Sequence, residues 1–594
     1  RDLDRGVDEV LDAVTRGFAA NLEGSDYEGS YDAVRQRSRL QTIDSVATIM
    51  SRAGAFADYL EESGQPGFYG REIADLDALE PAYVQKIGRR LFSRDTAMLV
   101  KVVPDGTSGA PQAERASFDY EPKEEEKLSV PADIDPAEAH EPLPLTDIVP
   151  PEGQSLEYEL ENGMRVVVVQ SSAMPVMDLQ VIVGVGTADT PDQPDLAQMG
   201  QRFFGTREDR EGMNLMSFFD LAGGIFDAGV GPQSTSYATR GMSVYLDFLV
   251  AGLSEQVVQA QYRTGSLEMW KQRQKDALKK ESWRLTAERE NAYYRAMYGE
   301  GHPHVREMIT DPKDLRDITL RDVEQFRSTY FRAANSVAIV TGGFDMDLVN
   351  RYLAAFFGAP KLRDRKSTWN EPKITPERPP APAPKPGAVR YMTEIDDERV
   401  QTDVRIGYPL AEAYGDEHAA LAVLASMLNF RVAAVRQELG ASYGVYARLD
   451  TGRPSIQVGG AIDSSRAGEA LLAMEAAAAN LRSGEDFDRQ FAFARREVLS
   501  DMVNAQGDPQ LLAGRLAAAV RAGQSSDYFQ ILAQRVATLE PEAVRKVIDK
   551  YLQPQRRVTL VQGPKLGIDN VTAVITADPA AIVALPKMVH DEND

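Results

Sequence analysis

Three stretches of this 594-residue chain close in the same way. They read "LDALEPAYVQKIGRRLFSRDTAMLVKVV", "LRDITLRDVEQFRSTYFRAANSVAIVTG" and "VATLEPEAVRKVIDKYLQPQRRVTLVQG". Aligned on Val84, Val323 and Val544, they place Leu91, Tyr330 and Tyr551 seven residues on, without a gap. Met98, Val337 and Val558 follow fourteen residues after the anchors, each in an apolar β-type run. Each copy reads as a short helix with an apolar i, i+3/i+4, i+7 stripe, then a turn, then a buried strand. One supersecondary unit used three times demands tandem domains of one kind rather than a single large core.

Two proline-rich stretches mark the joints. Residues 104–150 contain "PKEEEKLSVPADIDPAEAHEPLPLTDIVPP", acidic and without apolar periodicity, and residues 365–388 contain "KITPERPPAPAPKPG". Both predict extended spacers. They leave globular blocks at 1–103, 151–364 and 389–566, with a tail over 567–594. The opening "RDLDRGVDEVLDAV" already reads as helix, so the first block is expected to hold only the second half of a repeat.

The second block opens "SLEYELENGMRVVVVQ", whose alternation around Asn162-Gly163 predicts a hairpin with a type I′ turn. A strand at "VMDLQVIVGVG" follows, and Gly223-Gly224 leads into the strand-like "TSYATRGMSVYLDFLV" before an amphipathic helix. In the third block Val404, Ile406 and Tyr408 alternate before an alanine-rich helix. The fold class that follows is α+β: repeated domains, each a mostly antiparallel sheet packed with helices.

Charge and cysteine content narrow the chemistry. A net charge of −24 with pI near 4.8 argues against a nucleic-acid or anionic-membrane surface, and no run is long and apolar enough to span a bilayer. With no cysteine there is no disulfide, no thiolate nucleophile and no cysteine-based zinc site. The five histidines include no i, i+4 pair. His302 and His304 flank Pro303 in a loop, where a structural role outweighs a metal site, and His140 and His590 are expected to be solvated in linker and tail. "GVGTAD" lacks the helix entry of a phosphate loop, no histidine suits a serine–aspartate triad, and "MNLMSFFDLAGGIF" reads as core.

In their order and spacing, "LENGMRVVVV", "GVGTADTPDQPDLAQMGQRFFGT", "GGIFDAGVGPQSTSYAT", "MYGEGHPHVR" and "FRVAAVRQELGASYGVYARL" resemble the pitrilysin/insulinase metallopeptidases. The resemblance covers the second and third blocks almost completely. It implies four homologous domains in two halves that close like a clamshell around a peptide. On that template the chain is the C-terminal portion of a long member, with the remainder upstream of Arg1 or on another polypeptide.

Active members carry an inverted zinc motif, His-x-x-Glu-His, on the first helix of the catalytic domain. Laid on it, "QMGQR" puts Gln198 and Arg202 at the histidine positions and Gln201 at the glutamate position. The third ligand, a later glutamate, falls near Lys279, with Glu281 close by. Amides and cations there predict a domain that binds no zinc. The resemblance further implies that Arg436 and Tyr443, seven apart in "VRQELGASY", reach across the chamber to substrate and transition state.

Two functions compete. The chain is either the zinc-free portion of a zinc metalloendopeptidase, inactive alone and completed by an upstream half or a separate zinc-bearing subunit, or a non-catalytic scaffold of the same fold. Peptide substrates, zinc in the complete protein, a homo-oligomer and a periplasmic or exported location are further expectations of the resemblance.

Overall fold

The computed structural model describes the chain except residues 1–2, 25–26, 99–154, 171–174, 191–192, 194, 203–218, 221, 259–263, 303, 306–307, 314, 316, 361–366, 375–383, 386, 388, 440–443, 483–485, 576–581 and 591–594. The linker expected over 104–150 therefore lies outside the described residues, as do His140 and the strand expected after Met98. Two compact units are present: Arg1–Asp32 with Ala74–Pro144, and Ala33–Ile73 with Leu145–Asp594.

Five helices open the chain: α1 (Leu3–Glu23), α2 (Tyr27–Asp44), α3 (Ile49–Ser63), α4 (Tyr69–Ala78) and α5 (Pro81–Leu91). In the first unit α5 starts at Pro81, whose fixed φ suits the first helical position. Gly88 lets α5 lie against Leu22 of α1, Gln85 Nε2 donates to Leu22 O at 2.8 Å, and Phe18 stacks on Phe92 at 4.4 Å.

Two six-stranded sheets dominate the second unit. Sheet one holds β1 (Ser155–Glu159), β2 (Arg165–Gln170), β3 (Val176–Val183), β4 (Ile225–Val230), β5 (Thr235–Met242) and β6 (Ser336–Gly342), in the order β1-β2-β6-β3-β5-β4. Only β2 and β6 pair in parallel. Its helices are α6 (Leu196–Arg202), α7 (Leu246–Val258), α8 (Thr264–Lys279), α9 (Glu281–Tyr298), α10 (Leu320–Tyr330) and α11 (Met346–Leu353). The start of α10 is set by a capping box, in which Thr319 Oγ1 accepts from Asp322 N while Asp322 accepts from Thr319 N.

Sheet two holds β7 (Tyr391–Ile395), β8 (Gln401–Pro409), β9 (Gly444–Asp450), β10 (Ser455–Asp463), β11 (Val558–Gly563) and β12 (Ile582–Ala584), in the order β12-β7-β11-β8-β10-β9. With it come α12 (His418–Leu439), α13 (Ala467–Ala479), α14 (Phe487–Gln506), α15 (Pro509–Arg521), α16 (Tyr528–Ala537), α17 (Pro541–Tyr551) and α18 (Lys565–Val574). Strand for strand the sheets repeat one another at five positions, and β1 and β12 fill the sixth from opposite ends of the sequence. The expected α+β class, with repeated and mostly antiparallel sheets, holds.

Several local expectations change. The β1–β2 turn is not type I′: among the described residues none other than glycine has positive φ, and in this turn Gly163 alone is left-handed at φ 82°. Glu159 pairs with Arg165, so five residues span the turn and one glycine suffices where a two-residue loop would need two. The run "SVYLDFLV" is not strand. β5 ends at Met242 and α7 begins at Leu246, because Leu246, Leu249, Val250, Leu253 and Val257 recur at helical spacing on one buried face while Val244 and Phe248 are exposed. Trp369 is 1% exposed and donates through Nε1 to Phe357 O, so the core of the first sheet domain runs past residue 364. His590 is not a free tail residue: it is half-buried, with Nε2 2.9 Å from Asp396 Oδ1.

Each sheet is apolar on both faces, and the second face of each is covered by a helix from the other domain. On sheet one Val166, Val168, Leu179, Val181 and Val340 face their own helices. Val167, Ile182 and Ile339 point the other way, onto Leu512, Leu516 and Val520 of α15. Sheet two is treated alike, with Met392, Val558 and Leu560 meeting Tyr293, Tyr294 and Met297 of α9. The polar seam is matched as well. Arg405 grips Glu290 through two bonds of 2.9 Å, Arg289 meets Glu394 at 2.8 Å, Tyr298 Oη donates to Pro454 O and Thr341 Oγ1 to Pro509 O. Arg240 on β5, clasped by Asp178 and Asp44 at 2.5 and 2.6 Å, ties the end of α2 to sheet one.

Gly407 makes the α9 contact possible, since a Cβ there would lie 2.5 Å from Tyr293 Oη and 2.6 Å from Met297 Sδ. Gly407→Ala should therefore destabilise the second unit by about 1–3 kcal/mol in urea unfolding, as overpacked sites do, whereas Gly514→Ala, which meets nothing within 4 Å, should not.

Candidate functional site

The helix that carries Gln198, Gln201 and Arg202 is short. α6 buries Leu196, Ala197, Met199 and Gly200 against the rest of its domain, leaves Gln198 half-buried and keeps Gln201 at 7% exposure. Arg202 is its last helical residue, and the segment that follows lies outside the described residues. Lys279 ends α8 with a side chain 71% exposed, bonded to Asp276 at 2.6 Å. The buried cation of α8 is Lys271, 8% exposed at its side chain and 3.6 Å from Glu268. Lys279 therefore lies at the surface.

A second buried cation escaped the sequence reading. Arg327 of α10 donates to Gly200 O at 3.4 Å, to Tyr237 Oη at 3.5 Å and to Val257 O, and lies over the Phe331 ring at 4.1 Å. It thus pins the backbone of α6 from below. The signal was present: Arg327 occupies a stripe position where the other repeats have Gly88 and Ile548.

These residues do not fit zinc. The metal takes imidazole, thiolate or carboxylate ligands; here two neutral amides and two cations stand at the motif positions, and among the described residues no group of three or more His, Asp or Glu could hold an ion. No chemical step is therefore assigned to a metal in this domain. His302 and His304 pack with Tyr298, centroids 5.2 and 5.3 Å away, which is the structural role their loop suggested.

In the second sheet domain Arg436 lies in the last turns of α12, and Tyr443 directly precedes β9 but falls outside the described residues. Asn429, two turns before Arg436, accepts the Ala447 N–H at 2.9 Å and so anchors β9 to α12. Beside this anchor is a cavity of about 820 Å³ lined by His418, Ser426 and Asn429 of α12, Glu497 and Asp501 of α14, and Arg515 of α15. Ser426 donates to Glu497, and Arg515 pairs with Asp501 at 2.7 Å.

His418, at the start of α12, lies 2.8 Å from Tyr528 Oη. Burial, then the nearby Arg535, pushes its imidazole down to about 4, and the positive end of the helix acts in the same sense.

Two domains of one topology, each completed by a helix of the other, define the class of the protein. A family model described as "Peptidase M16 inactive domain" matches residues 317–491, from just before α10 into α14. Three solved structures have the same fold. The peptidase M16 inactive domain from Pseudomonas fluorescens is 17% identical, with a TM-score of 0.57 over 69% of this chain and 98% of its own. A protease from Helicobacter pylori gives 17% and 0.59 over 69% and 100%. The periplasmic protease PqqL from Escherichia coli gives 16% and 0.57 over 72% of this chain and 49% of its own length. No curated protein matches the chain. Over residues 317–491 the chain thus matches the inactive domain of the M16 peptidases, and its fold is that of M16-like peptidases.

Two outcomes test the site. Elemental analysis of the purified chain should find no stoichiometric zinc, and one tightly bound ion per chain would overturn the account of Gln198, Gln201 and Arg202. Because the His418 imidazole titrates lower in the folded state than the ~6.5 of the unfolded chain, the stability it contributes should be complete above that value. As pH falls from 6.5 towards 4, about 3 kcal/mol should be lost. His418→Gln should flatten that part of the urea-midpoint profile.

Proposed function

We propose that the chain is the zinc-free portion of a zinc metalloendopeptidase that encloses and hydrolyses peptides, supplying chamber wall and substrate contacts to a catalytic half carried by another part or subunit. The observation that carries this reading is an apolar stripe that is covered twice and open once. Val323 and Phe326 of α10, and Val544, Val547 and Tyr551 of α17, are buried. At the matching positions of α5, Val84 and Ile87 are half-buried and Leu91 is 53% exposed. Val10, Val14, Phe92 and Met98 of the same unit are exposed as well. Burying a large aliphatic side chain is worth roughly 1.5–3 kcal/mol, so a stripe of this length favours a partner. The element that packs on each counterpart is the first helix of its repeat, α6 on α10 and α12 on α17, which is what a half of the same fold would bring.

Within that assembly Arg436 would bond a peptide carbonyl or carboxylate, and Tyr443 would donate its hydroxyl to the carbonyl oxygen as charge develops there. No described helix is long and apolar enough to cross a membrane. A periplasmic or exported location accords with the periplasmic assignment of PqqL.

Co-expression with a zinc-bearing half of the same fold should give chelator-sensitive cleavage of unstructured peptides. Tyr443→Phe should then lower kcat by about 10²-fold, the usual loss for one oxyanion donor, and Arg436→Ala should mainly raise KM. Unaltered kcat and KM in both variants would remove these two residues from the site. An assembled pair with an intact zinc motif that cleaves nothing would favour the scaffold.

A further inference from the structure

At the seam where α15 crosses onto the first sheet domain lies a second cavity, of about 520 Å³. Its walls come from the β4–β5 turn, the β8–α12 connection, the β9–β10 turn and the last turn of α15. Most of the lining is small, including Gly229, Gly231, Gly452 and Ala518, so backbone amides and carbonyls border the space. The volume is within the usual range for small-ligand sites.

Two side chains of opposite charge face this one cavity, Arg521 and Glu412. Both are exposed, neither has an ion pair or side-chain hydrogen bond to any described residue, and they do not pair with each other. Arg289 and Arg405, the more buried arginines of the same seam, each find a carboxylate, whereas Arg521 and Glu412 leave their charges unpaired at the cavity wall. A third polar group is unsatisfied there as well. His304 Nδ1 is buried without a hydrogen-bond partner, and burial with the neighbouring His302 and Arg453 holds the ring neutral, at about 4.

A single guanidinium presents a planar fork that matches one carboxylate in two hydrogen bonds. Glu412 disfavours a ligand with further negative charge and offers a partner to an ammonium. The complement of both is a zwitterion with its charges at separate ends, and the small lining leaves room for a backbone rather than for large side chains. We infer that this cavity is a binding site for short peptides with free termini, Arg521 receiving the carboxylate and Glu412 the ammonium. The cavity adjoins the larger one beside α12, with which it shares Tyr414, Thr451 and Ala518. Binding here needs neither a zinc-bearing half nor Arg436 and Tyr443, so it stands apart from the peptidase reading.

Isothermal titration of the full chain with trialanine tests the inference. Saturable one-to-one binding is expected, weakened at least about tenfold when the peptide is N-acetylated or C-amidated, which corresponds to loss of one charge-assisted contact. Arg521→Gln should abolish the advantage of the free carboxylate while leaving that of the free amine, and Glu412→Gln the reverse. Neither substitution removes a contact of the fold, so melting temperatures should be unchanged. No binding of trialanine, or equal binding of free and doubly blocked peptide by the unmodified chain, would overturn the assignment whatever the variants do.

Discussion

The exchange of α9 and α15 between the two sheet domains is the contact on which the rest of the second unit depends. A sheet apolar on both faces cannot leave one face in water, and a domain of this size supplies helices enough for one. Each domain therefore lends one helix to its twin. The rows Val167, Ile182, Ile339 and Met392, Val558, Leu560 are buried only because the other domain is present. The ion pairs along the seam orient this arrangement. Arg405 with Glu290 and Arg289 with Glu394 lock α9 over sheet two, where an unpaired member of either couple would be left desolvated.

That coupling explains why a domain can lose its metal chemistry and keep its fold. Along α6 the buried face, Ala197, Met199 and Gly200, packs onto α10 and β4, and Arg327 bonds the helix backbone directly. None of this requires the side chains at positions 198, 201 and 202 to be ligands. Amides and a cation at these positions offer zinc no ligand and leave the packing contacts intact. The helix is held as architecture by these contacts.

Much of the fold was legible in the sequence because it is written three times. The ungapped spacing from Val84, Val323 and Val544 located corresponding helices in each block, and α5, α10 and α17 occupy those positions. The alternation at Val404, Ile406 and Tyr408 marked β8. The site was less legible. Counting along a helix reached Lys279, but only packing distinguishes that surface lysine from the buried Lys271 eight residues earlier. Arg327 stood in plain view within an apolar stripe, yet its partners are carbonyls of residues 70 and 127 positions away.

By itself, then, the sequence determined the repeat, the α+β class and the chemical nature of Gln198, Gln201 and Arg202, which are not zinc ligands, since these rest on local periodicity and on side-chain chemistry. Tertiary structure alone decided which helix covers which sheet, which cations are buried, and that Arg521 and Glu412 share a cavity unpaired. Those facts depend on contacts between residues about a hundred or more apart, and no local pattern encodes where two distant surfaces will meet.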